Sequence, residues 1–402
     1  MPDVSGDYRD IPVLINNFNR CRDLLRLVDW LRRAGQRNVV VLDNASSWPA
    51  LVAVYEQFER DGIRVERLGR NAGCRAPWVL DLWRKLGVDG PFVYTDSDIV
   101  PDEDCPLDLV GHLRDVLAAN PDFVKIGLGL RIDDLPDCYA RKQQVATWEA
   151  QFWRHPVGPG LFLAPTDTTF AIYPQGREFE LGPALRTGRP YRGRHFGWYS
   201  DSANPTDEER HFRTAADPAY TNWSGGELPE LLVGAIDHER RTRPTLLNLR
   251  CGNDPLPGWV NVDDAPGPGV DVAFDLARGG GRLPLDDDTV DGFRLRGDGR
   301  RLDGLDAALA ELHRVARPGA KLLFRGPDEG GVAYGFSRAA QGCAGDWDIA
   351  RRALVQPNSG GPGETIIELR AVKPAREPRA APPADPGPAV LHTPVDWAST
   401  FP

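Results

Sequence analysis

The sequence predicts an α/β protein with two Rossmann-like sheets in succession. Three observations predict this class. Strand-like and helix-like segments alternate over residues 1–240, polar clusters follow four consecutive predicted strands, and a second strand-and-turn series begins at residue 245. A chain of 402 residues is also longer than one ordinary domain core. We therefore divide it into a first domain over 1–240, a second over 241–372 and a tail over 373–402.

The first domain alternates short apolar strands with amphipathic helices. The predicted strands are 11–15, 38–43, 63–68 and 91–95, and the predicted helices are 21–35, 49–62 and 76–87. Gly35 is expected to close the first helix, because glycine readily adopts the conformation that ends helices. This rhythm indicates a mostly parallel sheet with helices on both faces, whose binding sites lie at the carboxyl ends of its strands.

The second domain follows a charged hinge at 238–244. Its predicted strands are 245–253, 259–263, 270–276, 290–295 and 321–326. A helix is predicted over 308–319, stopped by Pro318 and Gly319. The segment from 373 onward is rich in Pro and Ala, which predicts an extended, poorly ordered tail.

Charge and cysteine usage exclude several classes of protein. The net charge is −10 without a long basic run, which argues against nucleic acid as a partner. The six cysteines form no CxxC pair, which argues against a zinc site and favours free thiols in a reducing compartment. No signal peptide and no apolar run long enough for a transmembrane segment is recognised, so a cytoplasmic location is expected.

Polar side chains follow each of the first four predicted strands. They are Asn16-Asn17, Asp43-Asn44, Asn71-Ala72-Gly73 and Asp96-Ser97-Asp98. Carboxylate oxygens suit Mg²⁺ or Mn²⁺, which also bridge phosphate oxygens. Asp96 and Asp98 therefore predict a divalent cation site at the centre of the sheet. A solvated acidic loop is the alternative, because the same spacing recurs at 102/104, 286/288 and 346/348.

Eight segments of the first domain carry a resemblance to a known family. They are PVLINNFNR, VLDNAS, LGRNAGCRAPW, TDSD, RIDDLPD, WEAQFW, TDTTFAIYP and RHFGWYSD. The domain resembles a GT-A nucleotide-sugar glycosyltransferase of the family 2 type. The resemblance implies metal-dependent transfer of a sugar from a nucleotide-diphosphate sugar to a hydroxyl of a glycan or small-molecule acceptor, with inversion expected, in polysaccharide or natural-product glycosylation.

The resemblance also implies roles for individual residues. Nucleotide contacts would come from Asn16, Arg20, Asp43, Asn71, Arg75 and Asp96. The metal would be held by Asp96 and Asp98, with His195 as a third ligand, a diphosphate contact or a histidine packed among aromatic rings. Asp201 is the first choice for the catalytic base that takes the acceptor proton. Its rivals are Asp167 and the pair Asp133 and Asp134.

Residues 245–327 resemble a class I S-adenosylmethionine-dependent methyltransferase. The segments LLNLRCGNDPLPGWVNVD, RLPLDDDTVDGFRL and LHRVARPGAKLLFRGP carry this resemblance. It implies a cofactor loop around Gly252, with Asp263 on the ribose and Asp275 on the adenine side. Arg250 stands where the family has glycine, and RLRGDGRRL (294–302) departs from the family motif. We therefore expect an inactive methyltransferase-like domain that serves packing or assembly and does not bind S-adenosylmethionine, with a working methyltransferase or the binding of another ligand as alternatives.

Two other functions stay open at this stage. One is a bifunctional glycosyltransferase and methyltransferase, and the other is a catalytically silent assembly protein. The sequence leaves undecided the donor sugar, the nucleobase, the acceptor, inversion against retention, and whether the chain forms a homo-oligomer.

Overall fold

The computed structural model describes residues 6–176, 178–216, 223–224, 227–275, 281–297, 304–327, 346–355 and 364–373. The chain divides into two compact units, one holding the described residues up to Arg241 and the other those from Thr242 onward. Both units combine sheets with helices, so the predicted α/β class is confirmed. The predicted tail lies outside the described residues except for Lys373.

Unit 1 contains twelve of the described strands. They are β1 (Val13–Asn17), β2 (Val39–Asp43), β3 (Arg64–Arg67), β4 (Phe92–Asp96), β5 (Ile99–Pro101), β6 (Lys125–Gly127), β7 (Gly129–Leu130), β8 (Pro156–Gly158), β9 (Leu161–Leu163), β10 (Ala171–Tyr173), β11 (Ala184–Thr187) and β12 (Arg192–His195). The main sheet has the order β3-β2-β1-β4-β10-β6-β11-β9-β8, and β5-β12-β7 form a smaller one. Strands β1 to β4 pair in parallel, whereas β10 runs antiparallel to β4.

The helices of unit 1 cover both faces of this sheet region. They are α1 (Arg22–Arg33), α2 (Pro49–Arg60), α3 (Ala76–Val79), α4 (Trp83–Leu86), α5 (Leu109–Ala119), α6 (Lys142–Ala150), α7 (Asp207–Ala215) and α8 (Glu230–Thr242). Helix α1 shows why the sequence folds this way. Its apolar residues Leu24, Leu27, Val28 and Leu31 recur at helical spacing and are buried in the same core as strands β1 and β2. Burying each such side chain stabilises the unit by about 1.5–3 kcal/mol.

The single helix predicted over 76–87 is wrong. Two short helices, α3 and α4, occupy the segment, and Asp81 between them has a left-handed φ of 46°. Trp78 packs against the rings of Phe92, Tyr94 and Tyr173, with centroids 5.1–6.2 Å apart. Burial of this aromatic cluster therefore outweighs the continuity of the helix.

Unit 2 is a seven-stranded sheet with the order β15-β14-β13-β16-β17-β19-β18. Its strands are β13 (Leu246–Leu249), β14 (Val260–Asp263), β15 (Val272–Ala273), β16 (Val290–Arg296), β17 (Ala316–Pro327), β18 (Trp347–Val355) and β19 (Glu364–Ala371). The first five pair in parallel, and β19 runs antiparallel to both β17 and β18. This is a Rossmann-like arrangement with an antiparallel strand inserted at one side.

The described helix of unit 2, α9 (Leu305–Val315), packs its apolar side into the sheet core. It ends before the predicted stop, because Ala316 is already extended and pairs with Val290. Pro318 and Gly319 belong to strand β17. The helix therefore ends at Val315, before residue 319, where the sequence predicted its end.

No helix in the described part of the chain is long and apolar enough to cross a membrane. The described cysteines, Cys21, Cys74, Cys105, Cys138 and Cys251, are all free thiols. Cys343 lies outside the described residues.

Candidate functional site

A cavity of about 260 Å³ lies in unit 1 at the carboxyl ends of β1, β2 and β4. Parallel strands end at the same edge of a sheet, so polar residues that follow them meet there. Of the residues assigned from sequence, those that line the cavity are Asn16, Arg20, Asn71, Arg75, Asp96, Asp98, Asp167 and His195. The structure therefore brings together most of the predicted positions without showing what they bind.

The base of this cavity is a network of side-chain amides and one carboxyl. Asn16 and Asp96 are partners in the register between β1 and β4, and Asn16 Nδ2 donates to Asp96 Oδ1 at 3.1 Å. Asn44 Nδ2 donates to Asn16 Oδ1, and the Ala72 backbone N–H donates to Asn44 Oδ1 at 2.9 Å. Thr168 Oγ1 donates to the other oxygen of Asp96. These bonds fix the polar groups in place before any ligand arrives.

Asp96 titrates close to neutral pH in this setting. Burial raises the pKa of Asp96 to about 7, with a further contribution from the charge of Asp98. The hydrogen bonds from Thr168 and Asn16 favour the ionised form and lower the pKa, but by less. The cavity base therefore carries a proton on Asp96 for part of the time at neutral pH.

Asp98 faces different partners. Its Oδ2 lies 3.9 Å from Arg20 Nε and 3.8 Å from His195 Nε2. The His195 ring stacks on Trp198, with centroids 4.7 Å apart, which fits the alternative of a packed histidine. The carboxylates of Asp96 and Asp98 thus have separate partners within the protein.

The expected Mg²⁺ or Mn²⁺ site is wrong. Within the described residues there is no group of three or more His, Cys, Asp or Glu side chains placed to hold a metal ion. Asp96 is instead bonded to Asn16 and Thr168, and Asp98 lies beside Arg20 and His195.

Asp43 does not line the cavity, although it was expected to contact a nucleotide. It is buried and accepts hydrogen bonds from Tyr55 Oη at 2.9 Å and from the Ser46 backbone N–H at 3.1 Å. The next residue, Asn44, lines the cavity instead. Side chains of successive residues point to opposite sides of a strand end, so a shift of one residue exchanges the two roles.

The candidates for a catalytic base have different surroundings. Asp201 lies outside the cavity and caps a surface turn, accepting from the backbone N–H groups of Ala203 at 2.9 Å and Asn204 at 3.1 Å. A hydrogen bond from the Asn204 side chain, followed by these backbone bonds, lowers the pKa of Asp201. Asp201 therefore has the environment of a residue that caps a turn, whereas the environment of a catalytic base was expected.

The rival carboxylates also have structural partners. Asp133 accepts from Arg131 Nε at 2.8 Å, and Asp134 accepts from Arg194 Nη2 at 2.8 Å and from Tyr199 Oη. Asp167 alone among the base candidates lines the cavity, and it accepts from Thr169 Oγ1.

Glu149 is a cavity residue to which the sequence analysis gave no role. It lies in the WEAQFW segment, lines the cavity and accepts from Arg186 Nη1 at 2.9 Å. Burial raises the pKa of Glu149 to about 7, even though the charge of Arg186 acts in the opposite direction. The sequence signal was a charged residue in a segment rich in aromatic residues, 148–153.

A second candidate site lies in unit 2, in the loop that follows β13. Arg250 and Gly252 both have a left-handed φ of 52°. The Gly252 backbone N–H donates to Asp263 Oδ2 at 2.5 Å, and the Asp264 backbone N–H donates to Asp263 Oδ1 at 2.7 Å. The loop after the first strand of this unit is thus joined to the acid that ends the second.

The side chain of Arg250 is buried rather than extended into solvent. Its exposed fraction is 2%, and its Nη2 lies 3.5 Å from Asp264 Oδ2. Asp275 lies beyond β15 and is half-buried. In the divergent segment 294–302, Arg294 Nη2 lies 3.3 Å from Asp254 Oδ2, and residues 298–302 lie outside the described part.

Comparison with known proteins gives a limited result. No family model matches the chain, and no curated protein matches it either. Similar solved structures include 1,6-didemethyltoxoflavin-N1-methyltransferase of Burkholderia thailandensis, with 15% identity, a TM-score of 0.26, and coverage of 35% of this chain and 76% of that one. A SAM-dependent methyltransferase from Aquifex aeolicus has 16% identity, a TM-score of 0.26, and coverage of 32% and 82%. A 16S rRNA (adenine(1408)-N(1))-methyltransferase from Catenulisporales acidiphilia has 16% identity, a TM-score of 0.23, and coverage of 33% and 87%.

These comparisons correct three expectations. Eight of the similar structures include methyltransferases and no protein named as a glycosyltransferase. The resemblance to a GT-A glycosyltransferase and the activity inferred from it are therefore wrong. The expectation that S-adenosylmethionine is not bound runs against the similar structures, which include complexes of those proteins with that compound and with S-adenosylhomocysteine.

Proposed function

We propose that unit 2 binds S-adenosylmethionine and serves a methyl transfer. The observation that carries this proposal is the hydrogen bond between Gly252 in the loop after β13 and Asp263 at the end of β14. Strand β13 has β14 on one side and β16 on the other, so the chain changes direction across the sheet at this strand. In sheets of this type, ligands bind outside the carboxyl ends of the strands at such a switch point.

The loop has a backbone suited to close approach of a ligand. Two left-handed residues, Arg250 and Gly252, turn the chain sharply after Leu249. Arginine disfavours this conformation by roughly 1–2 kcal/mol, and the loop adopts it all the same. The substitution of the family's glycine has therefore left the turn in place.

Asp263 supports the proposal through its remaining hydrogen-bonding capacity. Its Oδ1 accepts from the backbone N–H of Asp264, and its Oδ2 accepts from the backbone N–H of Gly252 and, at 3.7 Å, from the Cys251 thiol. A carboxylate oxygen can accept two hydrogen bonds, so Oδ1 keeps a position for one ribose hydroxyl, and a second hydroxyl would replace the weak thiol donor on Oδ2. The bonds already present hold the carboxylate in a fixed orientation.

Arg250 is the main objection to cofactor binding, and its surroundings reduce that objection. A guanidinium repels a sulfonium, but Asp264 lies 3.5 Å from it and offsets its charge. The side chain is buried inside the unit, so it occupies one place and does not move through the space beside the loop. When bound, S-adenosylmethionine would supply an electrophilic methyl group, and the residues of this loop would orient it.

Isothermal titration calorimetry of the full chain tests this proposal. We expect S-adenosylmethionine and S-adenosylhomocysteine to bind with a Kd below about 100 µM, which corresponds to about −5.5 kcal/mol. Asp263→Asn removes one charged acceptor and should weaken binding by about 10-fold. Asp286→Asn makes the same chemical change at an exposed position and should bind like the wild type. Absence of binding by the wild type would refute the proposal.

We also propose that the cavity of unit 1 binds a small polar ligand with an anionic group, of which a nucleoside diphosphate is a suitable probe. The specific observation in favour is the fixed network of Asn16, Asn44 and Asp96 beside two arginines, Arg20 and Arg75, in one cavity. Amide groups offer paired donors and acceptors to a base, and guanidinium groups attract phosphate oxygens.

Titration with uridine, guanosine and adenosine diphosphates tests the second proposal. We expect one of them to bind and the wild type to distinguish among the three bases. Asn16→Ala should weaken that binding, whereas Asn38→Ala, at an exposed position, should not change it. Equal and negligible binding of all three would refute a nucleotide ligand.

A further inference from the structure

We propose that α7 is a cover over the cavity of unit 1, and that Glu209 on this helix occupies the place on Arg20 that an anionic group of a ligand would take. This inference rests on the proposed binding function of that cavity. In this proposal the Arg20–Glu209 ion pair blocks the binding site of its own protein, and a ligand must displace Glu209 to bind.

The contacts of Arg20 place it between the cavity and the helix. Its side chain is 7% exposed and lines the cavity. Nη1 donates to Glu209 Oε2, and Nη2 donates to Ser224 Oγ at 2.8 Å. The ring of Phe212 stacks on the guanidinium with 3.6 Å between the charge centre and the ring centroid, and Phe212 also lines the cavity. Arg20 therefore joins α7 to the wall of the cavity.

The other contacts of α7 are polar bonds and two ring contacts, Phe212 with Phe18 and His211 with Trp48. Glu209 is its one fully buried residue among Asp207–Ala215. Glu208 Oε1 accepts from the backbone N–H groups of Cys21 at 2.9 Å and Arg22 at 3.2 Å, where α1 begins. His211 Nε2 lies 2.9 Å from Ser47 Oγ. A helix with little apolar burial has low local stability, so α7 is held mainly by these polar bonds and separates when a ligand replaces the Arg20–Glu209 pair.

The charges around Arg20 explain why an anion would compete with the helix. Arg20 already faces two carboxylates, Glu209 and, at 3.9 Å, Asp98. A third negative group in the same place would be repelled unless Glu209 withdrew. Glu209 would keep a partner on withdrawal, because Arg213 on the same helix donates to its Oε1 at 2.9 Å. Displacement of α7 therefore leaves Glu209 paired with Arg213, whereas Glu208 exchanges its bonds to the start of α1 for water.

Thiol labelling of Cys74 tests the cover without any ligand. Cys74 lines the cavity, and burial raises its pKa to about 12, so labelling by iodoacetamide should be slow in the wild type. Peptide mass spectrometry would follow Cys74, with the exposed Cys138 as an internal reference. Glu209→Gln should accelerate Cys74 labelling by about 10-fold, since it replaces a buried charge-assisted bond. Asp207→Asn on the exposed side of α7 is the matched control and should leave the rate unchanged.

A second variant guards against misfolding of Glu209→Gln. Thr206 Oγ1 accepts from the Glu209 backbone N–H at 3.2 Å and caps α7. Thr206→Ala should loosen the helix and also accelerate Cys74 labelling, although it leaves Arg20 untouched. Rates within twofold of the wild type in both variants would overturn the cover.

Uridine diphosphate separates this inference from the binding proposal on which it rests. If Glu209 competes with the ligand, Glu209→Gln should bind uridine diphosphate about 10-fold more tightly than the wild type and Asp207→Asn. Faster labelling without nucleotide binding by any variant would support the cover and refute the nucleotide ligand. Nucleotide binding with unchanged Cys74 labelling would support the nucleotide ligand and refute the cover.

Discussion

The backbone N–H of Gly252 donates a hydrogen bond of 2.5 Å to Oδ2 of Asp263, and so joins the loop after one strand to the acid at the end of the next. Residues that are eleven positions apart in sequence are thereby held together at the carboxyl edge of the unit 2 sheet. The bond matters because it fixes both a backbone turn and a carboxylate at the place where we propose that the cofactor binds.

The first prediction concerns Arg250 in this loop. Arg250→Gly should bind S-adenosylmethionine more tightly than the wild type, because it removes a positive charge and a buried side chain beside the proposed site. Its stability should stay within about 1 kcal/mol of the wild type, since relief of the left-handed strain is offset by the loss of the Asp264 contact. Calorimetry and denaturant unfolding measure the two quantities.

Arg250→Lys is the control, because it keeps the charge and the backbone strain. It should bind like the wild type. Weaker binding by Arg250→Gly would instead show that the guanidinium itself contacts the cofactor.

The second prediction concerns Asn44 in unit 1. Asn44→Ala should destabilise the chain by about 1–3 kcal/mol, because it leaves the Ala72 N–H and the Asn16 Oδ1 without their buried partner. The same change should weaken nucleoside diphosphate binding. Urea unfolding and titration measure the effects, and Asn38→Ala is the surface control. Wild-type stability in Asn44→Ala would mean that water replaces the amide at no cost.

The third prediction is a pH dependence that arises from Lys125. Its Nζ donates to the Asp167 carbonyl and to Tyr173 Oη, each at 3.1 Å, and burial lowers its pKa to about 7 although Asp167 acts in the opposite direction. Above pH 7 the folded chain releases this proton, while the unfolded chain holds it up to about pH 10.4. The unfolded state then binds more protons, so stability should rise with pH in this window.

Denaturant unfolding at pH 7 and pH 9 measures this effect. Relative to Lys125→Met, the wild type should gain on the order of 2 kcal/mol between these two pH values. Lys85→Met, at an exposed position, serves as the control for loss of a lysine. An identical pH profile for the wild type and Lys125→Met would show that the amine stays charged in the folded protein.

The fourth prediction concerns the core of unit 2. Leu309 on α9 is fully buried, and Leu309→Ala should destabilise this unit by about 2–5 kcal/mol through lost burial and the cavity left behind. Leu231→Ala removes the same atoms from a side chain that is 70% exposed, and should have little effect. Thermal unfolding followed by calorimetry compares the two variants. Similar unfolding temperatures would contradict the observed packing of α9.

The sequence by itself determined the α/β class and the places of strands β1 to β4 and helices α1 and α2. Apolar periodicity records which face of a segment is buried, and that is a local property of the chain. The polar positions that follow those strands could be predicted for the same reason, and Asn16, Asn71 and Asp96 do lie around one cavity.

Only the tertiary structure decided what each polar side chain contacts. Asp96 accepts a hydrogen bond from Thr168, which lies 72 residues later in the chain, and Arg20 donates to Glu209, which lies 189 residues later. The continuity of the helix after residue 76 was likewise decided by the packing of Trp78 on distant rings. Such contacts form because the chain connections bring remote segments together. A side chain that moves by a few ångströms can change its hydrogen-bond partner, and the hydrophobic periodicity of the sequence carries no information about movements that small.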